Sequence, residues 1–192
     1  VSNITEIVNK IKDKIKSENP DLFKKIDKQA SEEDIENLSK SLGLPIPNDL
    51  KEFLMALDGI LIKKSLISVY GCKVIANEYP YCLEPDFCDY DEDELINTPK
   101  IKKVLFDKHW ILIAVTNDDT DYICYDCSPG TGGTKGQIIN ISTVEVSRDV
   151  IFKNLHDFLE EYLKIAIKRD TFSQKHNEKN EDNSKKPSWW HW

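Results

Sequence analysis

The chain has 192 residues and carries 26 Lys and Arg against 34 Asp and Glu, a formal net charge of −8 at pH 7 with a pI near 5.1. An acidic chain without a basic stripe is repelled by phosphate, so direct nucleic-acid binding and attachment to anionic membranes are both disfavoured. With 40% hydrophobic and 31% charged residues, the composition is that of a soluble globular protein.

No apolar run approaches the roughly 20 residues that span a bilayer, and the opening VSNITEIVNKIKDKIK breaks each apolar stretch with charge. Neither a signal peptide nor a membrane span is expected. Cys72, Cys82, Cys88, Cys124 and Cys127 are an odd number in a chain long enough to build its own core. A disulfide framework is not implied, and a cytoplasmic location with reduced thiols is expected.

Ile4, Ile7, Val8, Ile11 and Ile15 recur at helical spacing and predict an amphipathic first helix ending by Asn19-Pro20. A shorter helix is expected in DLFKKID. Ser31 followed by Glu33 and Asp34 reads as the N-cap of a helix carrying Ile35, Leu38 and Leu42 and closed by Gly43. The segment Leu44-Pro45-Ile46-Pro47 cannot continue it. Asn48 is expected to cap a further helix, with Leu50, Phe53, Leu54 and Leu57 on one face, that runs to Gly59.

From Ile60 the pattern changes to short β-rich runs: ILIKKSLISVYG, CKVIAN, IKKVLF, WILIAVTN, DYICYDC and GQIINISTVEV. Their spacing predicts a mainly antiparallel sheet of about six strands. A long final helix is expected from about Val150 to Lys168, on Ile151, Leu155, Phe158, Leu159, Tyr162, Leu163 and Ile165. Helices, then strands, then a helix make the fold class α+β, with the sheet packed against N-terminal helices and a long C-terminal helix. Residues 171–192 are too polar to offset their ordering entropy and predict a flexible tail after a single domain of residues 1–170. The tail is +1, which leaves −9 on the body.

Three stretches in order resemble the SUKH superfamily, also called the Smi/Knr family. SEEDIENLSKSLGLPIPNDLKEFLMALDG is similar to its acidic helix, proline joint and second helix, ending in Asp58-Gly59. His109-Trp110-Ile111-Leu112-Ile113-Ala114 is similar to the family's tryptophan strand. Asp121-Tyr122-Ile123-Cys124-Tyr125-Asp126-Cys127-Ser128-Pro129-Gly130, with Gly132, Gly133, Gly136 and Gln137, resembles its strand, Asp-x-x-Pro-Gly loop and Gly-Gln segment, and Phe158-Leu159-Glu160-Glu161-Tyr162-Leu163 resembles its terminal helix. The resemblance covers roughly residues 31 to 165 and rests on order and spacing. It implies an α+β domain without a catalytic centre, which in bacteria binds and neutralises a cognate toxin, often a nuclease or deaminase. In fungi such a domain acts as a regulatory hub. The acidic segment 84–94, Cys127 and the Trp-ended tail depart from the family pattern.

Glu84, Asp86, Asp89, Asp91, Glu92, Asp93 and Glu94 place seven acidic side chains in one stretch with no basic one. Such a run is either a solvated loop or, with Tyr79, Tyr81, Phe87 and Tyr90 among the carboxylates, a surface that steers a cationic partner and grips it at contact. A Ca²⁺ loop is excluded, because Glu94 stands where the sharp turn needs Gly and Lys100 where a bidentate Glu is needed. In Asn117-Asp118-Asp119-Thr120-Asp121 a hairpin turn is expected, and Asp118 and Asp119 would extend the negative face.

Cys124-x-x-Cys127 supplies two of four zinc ligands with no second pair at matching spacing, and reads as small buried hydrophobes. The loop Ser128 to Gly136 lacks the ending of a phosphate-binding loop and precedes a strand, so a wide hairpin is expected, with Asp126 fixing the turn. His109, His156, His176 and His191 form no legible catalytic arrangement. Trp189, Trp190 and Trp192 either dock the tail on this chain or a partner or form an unremarkable terminus.

The sequence therefore points to a non-enzymatic immunity protein without metal or cofactor. It would neutralise a basic nuclease or deaminase toxin through Glu84, Asp86, Phe87, Asp89, Tyr90, Asp91, Glu92, Asp93, Glu94, Asp118 and Asp119. The alternative is a regulatory scaffold of the cell-wall-regulator kind.

Overall fold

The first isoleucine stripe folds as α1 (Ile4–Glu18), burying Ile4, Ile7, Val8, Ile11 and Ile15 on one face. The computed structural model describes residues 3–61, 67–84, 87–88, 90–116 and 120–168. Asn3 caps α1 by accepting the Glu6 N–H at 3.1 Å. Asn19 ends α1 and starts α2 (Pro20–Ile26), its side chain accepting the Leu22 N–H at 3.0 Å.

In α3 (Glu32–Leu42), Ser31 and Asp34 form a reciprocal capping box, and Gly43 at φ 64 closes the helix. The next helix, α4 (Asn48–Ala56), differs from expectation at both ends. Pro47 holds its cap position without a side-chain bond, and the helix stops before Leu57, which is extended.

The sheet has six strands: β1 (Ile67–Val69), β2 (Ile96–Asn97), β3 (Trp110–Thr116), β4 (Asp121–Asp126), β5 (Ile138–Ser142) and β6 (Ser147–Phe152). Their order is β1-β3-β4-β5-β6-β2. All neighbours are antiparallel except β2, which runs parallel to β6 at the far edge. Every residue of β3 and β5 is buried, so both faces of the sheet centre are covered.

Three expectations are corrected. The run CKVIAN is not a strand but the start of α5 (Cys72–Cys82), which packs on β3 and α3. IKKVLF is an irregular, bent segment without a strand. The last helix, α6, begins at Leu155 (Leu155–Lys168), because Val150, Ile151 and Phe152 remain in the β5–β6 ladder and Asn154 caps α6 by accepting the Asp157 N–H at 2.9 Å. Among the described residues, six helices around a mainly antiparallel sheet give the α+β class.

The motif residues hold the joints between elements. Asp58 reaches across 14 residues to accept the Cys72 N–H at 2.7 Å, capping α5 from a distance. Beside it Gly59 takes φ 87, and a Cβ there would stand 2.5 Å from Gly71 N and 2.9 Å from the Tyr70 carbonyl carbon. Tyr125 on β4 donates its hydroxyl to Asp49 Oδ1 on α4 at 2.9 Å, joining helix to sheet. One contiguous cluster of buried apolar side chains extends from Ile4 to Tyr162, with Trp110 fully enclosed.

Candidate functional site

The acidic segment is a strap fixed to the sheet at two points. At the first, Phe87 is 7% exposed and enters an aromatic cluster, edge-on to Tyr122 at 5.0 Å, Phe106 at 5.6 Å and Tyr81 at 6.1 Å. Phe106 continues the cluster to Trp110 at 5.6 Å and to Tyr79, whose hydroxyl donates to the Lys108 carbonyl. At the second, the half-buried Tyr90 donates its hydroxyl to the Ser142 carbonyl at 2.7 Å and accepts from Arg148 Nη1 at 2.9 Å.

Arg148 is fully buried at the start of β6 and spreads its fork over neutral acceptors. Nη1 also donates to the Ser147 carbonyl at 2.9 Å and the Ser142 carbonyl at 3.2 Å, and Nη2 to the Leu105 carbonyl at 2.7 Å and Cys88 Sγ at 3.6 Å. It thereby ties the strap and the 101–108 segment to the sheet edge.

Beyond Tyr90 the chain turns outward. Glu92–Glu94 form a 3-10 turn in which Glu94 Oε2 accepts the Asp91 N–H at 3.1 Å. Asp91, Glu92, Asp93 and Glu94 are all exposed, and Glu84 is exposed at the other end of the strap. Lys103 reaches this turn, but its Nζ donates to the Asp93 carbonyl at 3.2 Å, and among the described residues no cation pairs with the turn's carboxylates.

The aromatic side chains divide differently from expectation. Tyr79 and Phe87 are core residues and Tyr90 spends its hydroxyl internally, so they anchor the strap to its own protein. Tyr81, 57% exposed, is displayed. Two apolar residues that sequence reasoning missed join the carboxylates: Ile96, 69% exposed, directly after the turn, and Val144, 67% exposed, in the β5–β6 connection. Val146 holds them near each other, adopting φ 53, a conformation β-branched residues rarely take, and offering its carbonyl to the Ile96 N–H at 2.9 Å. The signal in the sequence was the apolar pair of TVEV next to Ser and Glu, which reads equally well as strand. Asp86, Asp89, Asp118 and Asp119 lie outside the described residues, as does the tail with Trp189, Trp190 and Trp192.

The remaining constellations are structural. Asp126, fully buried, accepts the Ser128 N–H at 2.9 Å and Gln137 Nε2 at 2.8 Å, and Gln137 Nε2 also donates to the Lys100 carbonyl at 2.9 Å. Burial raises the Asp126 carboxyl above its ordinary value, more than these donors lower it. Gly130 lies so close to the Pro99 and Ile101 backbone that a Cβ would collide with it, so the glycine loop packs against the chain that follows β2. Cys124 is fully buried and Cys127 half-buried, and burial pushes both thiols up, Cys127 to about 11. Burial alone would raise Asp107, but Lys102 at 2.8 Å and the His109 backbone N–H and ring hold it below its ordinary value. Among the described residues one group could hold a metal ion, His156, Asp157 and Glu160 on the first turns of α6, with donor atoms within 4.8 Å of one another.

Among the described residues no helix is long and apolar enough to cross a membrane. Comparison with curated proteins finds no match. The family model described as SMI1 / KNR4 family (SUKH-1) matches residues 29–161, a span that begins just before α3, includes the strap and the Asp126–Gln137 joint, and ends within α6. Over two thirds of its length, therefore, this chain belongs to the SMI1 / KNR4 family (SUKH-1).

Proposed function

We propose that the protein is a non-enzymatic, cytoplasmic immunity protein that binds a cognate toxin, a basic nuclease or deaminase domain, and covers its active cleft with the acidic strap. The observation that carries this reading is the exposed run Asp91–Glu94, which no cation among the described residues pairs and which Phe87, Tyr90 and Arg148 hold at the sheet edge. Fixed carboxylates focus a negative field that steers a cationic partner, and a turn already held by its own hydrogen bonds loses little entropy on contact. Ile96 and Val144 beside the turn, and Tyr81 beside Glu84, supply apolar surface for short-range contact. Family membership supports a protein-binding role of this kind.

The test is a pull-down from source-organism lysate with the wild type and with D91N/E92Q/D93N, sparing Glu94 because its carboxylate closes the turn. One dominant basic nuclease or deaminase is expected on the wild type, weakened by added salt and by the substitutions, with association slowed about 10-fold or more. Equal capture by the variant removes the site assignment. Several weak partners, none a toxin, would favour the regulatory scaffold.

A further inference from the structure

The first turns of α6 and the exposed face of α1 bring nitrogen and oxygen donors together where the two helices pack. On a helix, Glu160 stands one turn above His156 and Asp157 and lies between them in angle, so the three side chains share one face. Their donor atoms lie within 4.8 Å of one another, and His156 Nδ1 is 3.8 Å from Asp157 Oδ1. His156 and Asp157 are half-buried, which narrows their choice of rotamer, while Glu160 is exposed at the end of a flexible stem. Across the helix junction the imidazole acts electrostatically on Glu6 of α1, and Glu160 acts on Lys10, which pairs with Glu6 at 2.7 Å.

We propose that His156, Asp157 and Glu160 form a binding site for a divalent metal ion of the zinc class, with Glu6 as the carboxylate that closes it from α1. The donor set selects the metal. One imidazole nitrogen with carboxylate oxygens suits zinc and its first-row neighbours, whereas magnesium and calcium favour oxygen alone. Tetrahedral bonds of about 2.0–2.2 Å put two ligand atoms about 3.4 Å apart. His156 and Asp157 therefore need only a small adjustment from their separation in the structure. The start of a helix disfavours a cation, but the carboxylates gathered there outweigh a partial charge of about half a unit. The site shares no residue with the acidic strap and does not depend on the toxin-binding reading.

The site lies where a helix outside the family match meets one inside it. α1 precedes residues 29–161, while His156, Asp157 and Glu160 fall within them. An ion held by both helices clips α1 to the family domain, and it competes with Lys10 for Glu6 and Glu160. The metal-free expectation rests on cysteine spacing and on the acidic segment 84–94, neither of which bears on this set.

The experiment is equilibrium dialysis and isothermal titration of the full chain with zinc chloride, with urea midpoints checking that each variant folds. One equivalent is expected to bind the wild type at micromolar zinc, and H156A and E160Q should each weaken that site by about 10-fold or more. K10Q, which removes a competing cation and no ligand, should tighten it about 3-fold. Zinc should slow hydrogen exchange of the α1 amides in the wild type and not in H156A. Wild-type affinity in both H156A and E160Q places the ion at the cysteines or at other histidines and overturns the proposal. Saturation only at millimolar zinc overturns it as well. E160Q and K10Q alter exposed side chains, so their readings hold even where H156A is destabilised.

Discussion

Replacing Asp126 by Asn changes one buried atom at the turn that closes β4, and its cost follows from the contacts. The carboxylate accepts from the Ser128 N–H at 2.9 Å and from Gln137 Nε2 at 2.8 Å. Asn keeps one acceptor and substitutes a donor for the other, so one of those bonds is lost whichever way the amide turns. Gln137 cannot rotate to compensate, since its Oε1 already accepts the Thr134 N–H at 3.0 Å and its Nε2 donates to Lys100. A bond to a charged acceptor contributes ~1.5–3 kcal/mol and relief of the buried charge offsets part of it, so a net loss of about 2 kcal/mol is expected. In urea this lowers the unfolding midpoint by about 1 M with an unchanged slope. The pH dependence gives a second reading. The folded carboxyl takes up its proton at higher pH than the unfolded one, so this group adds stability as pH falls toward the ordinary carboxylate range and withdraws it as pH rises. Asn does not titrate; the gap between wild type and D126N should therefore widen on acidification. A midpoint within about 0.3 M of wild type, or a gap that narrows toward pH 4.5, would refute the account.

Gly59→Ala places a methyl group against the Gly71 and Tyr70 backbone at positive φ, and should lower the melting temperature by roughly 5 °C or more through both strain and displacement of α5. Tyr125→Phe removes only the hydroxyl that bonds Asp49; a loss of about 1.5 kcal/mol is expected by denaturant titration, and a double-mutant cycle with Asp49→Ala should show coupling of similar size. D91N/E92Q/D93N, all exposed, should leave stability within about 0.5 kcal/mol of wild type while slowing partner association, separating binding from folding.

Much of the fold was legible where local and tertiary signals agree. The isoleucine stripe of α1, the Ser31–Asp34 box and Gly43 of α3, and the β3 to β5 runs each carry their own boundary chemistry. The segment Cys72–Cys82 misled because its Val and Ile favour strands, Pro80 lies inside it, and its N-terminal cap is supplied by Asp58 from the far side of a loop. Val150 to Phe152 fit a helical period and a strand equally well; only the Asn154 cap, with Asp157 three residues on, marks where the helix starts. At the site, the carboxylates were visible as a run of letters. Which aromatic residues point inward was not, since that depends on a guanidinium 58 residues from Tyr90 in the chain.

The sheet order also bears on how the molecule assembles. β3 to β6 are successive antiparallel neighbours joined by hairpin connections, and such local pairings form early. β2 precedes them in sequence but lies at the opposite edge from β1, so the chain must cross the whole sheet to reach β6 and cross back to begin β3. Its two-residue parallel ladder has nothing to dock on until β6 is in place. The charged turn that precedes β2 is therefore among the last parts to be ordered, and only a chain whose sheet is complete displays it in its final geometry.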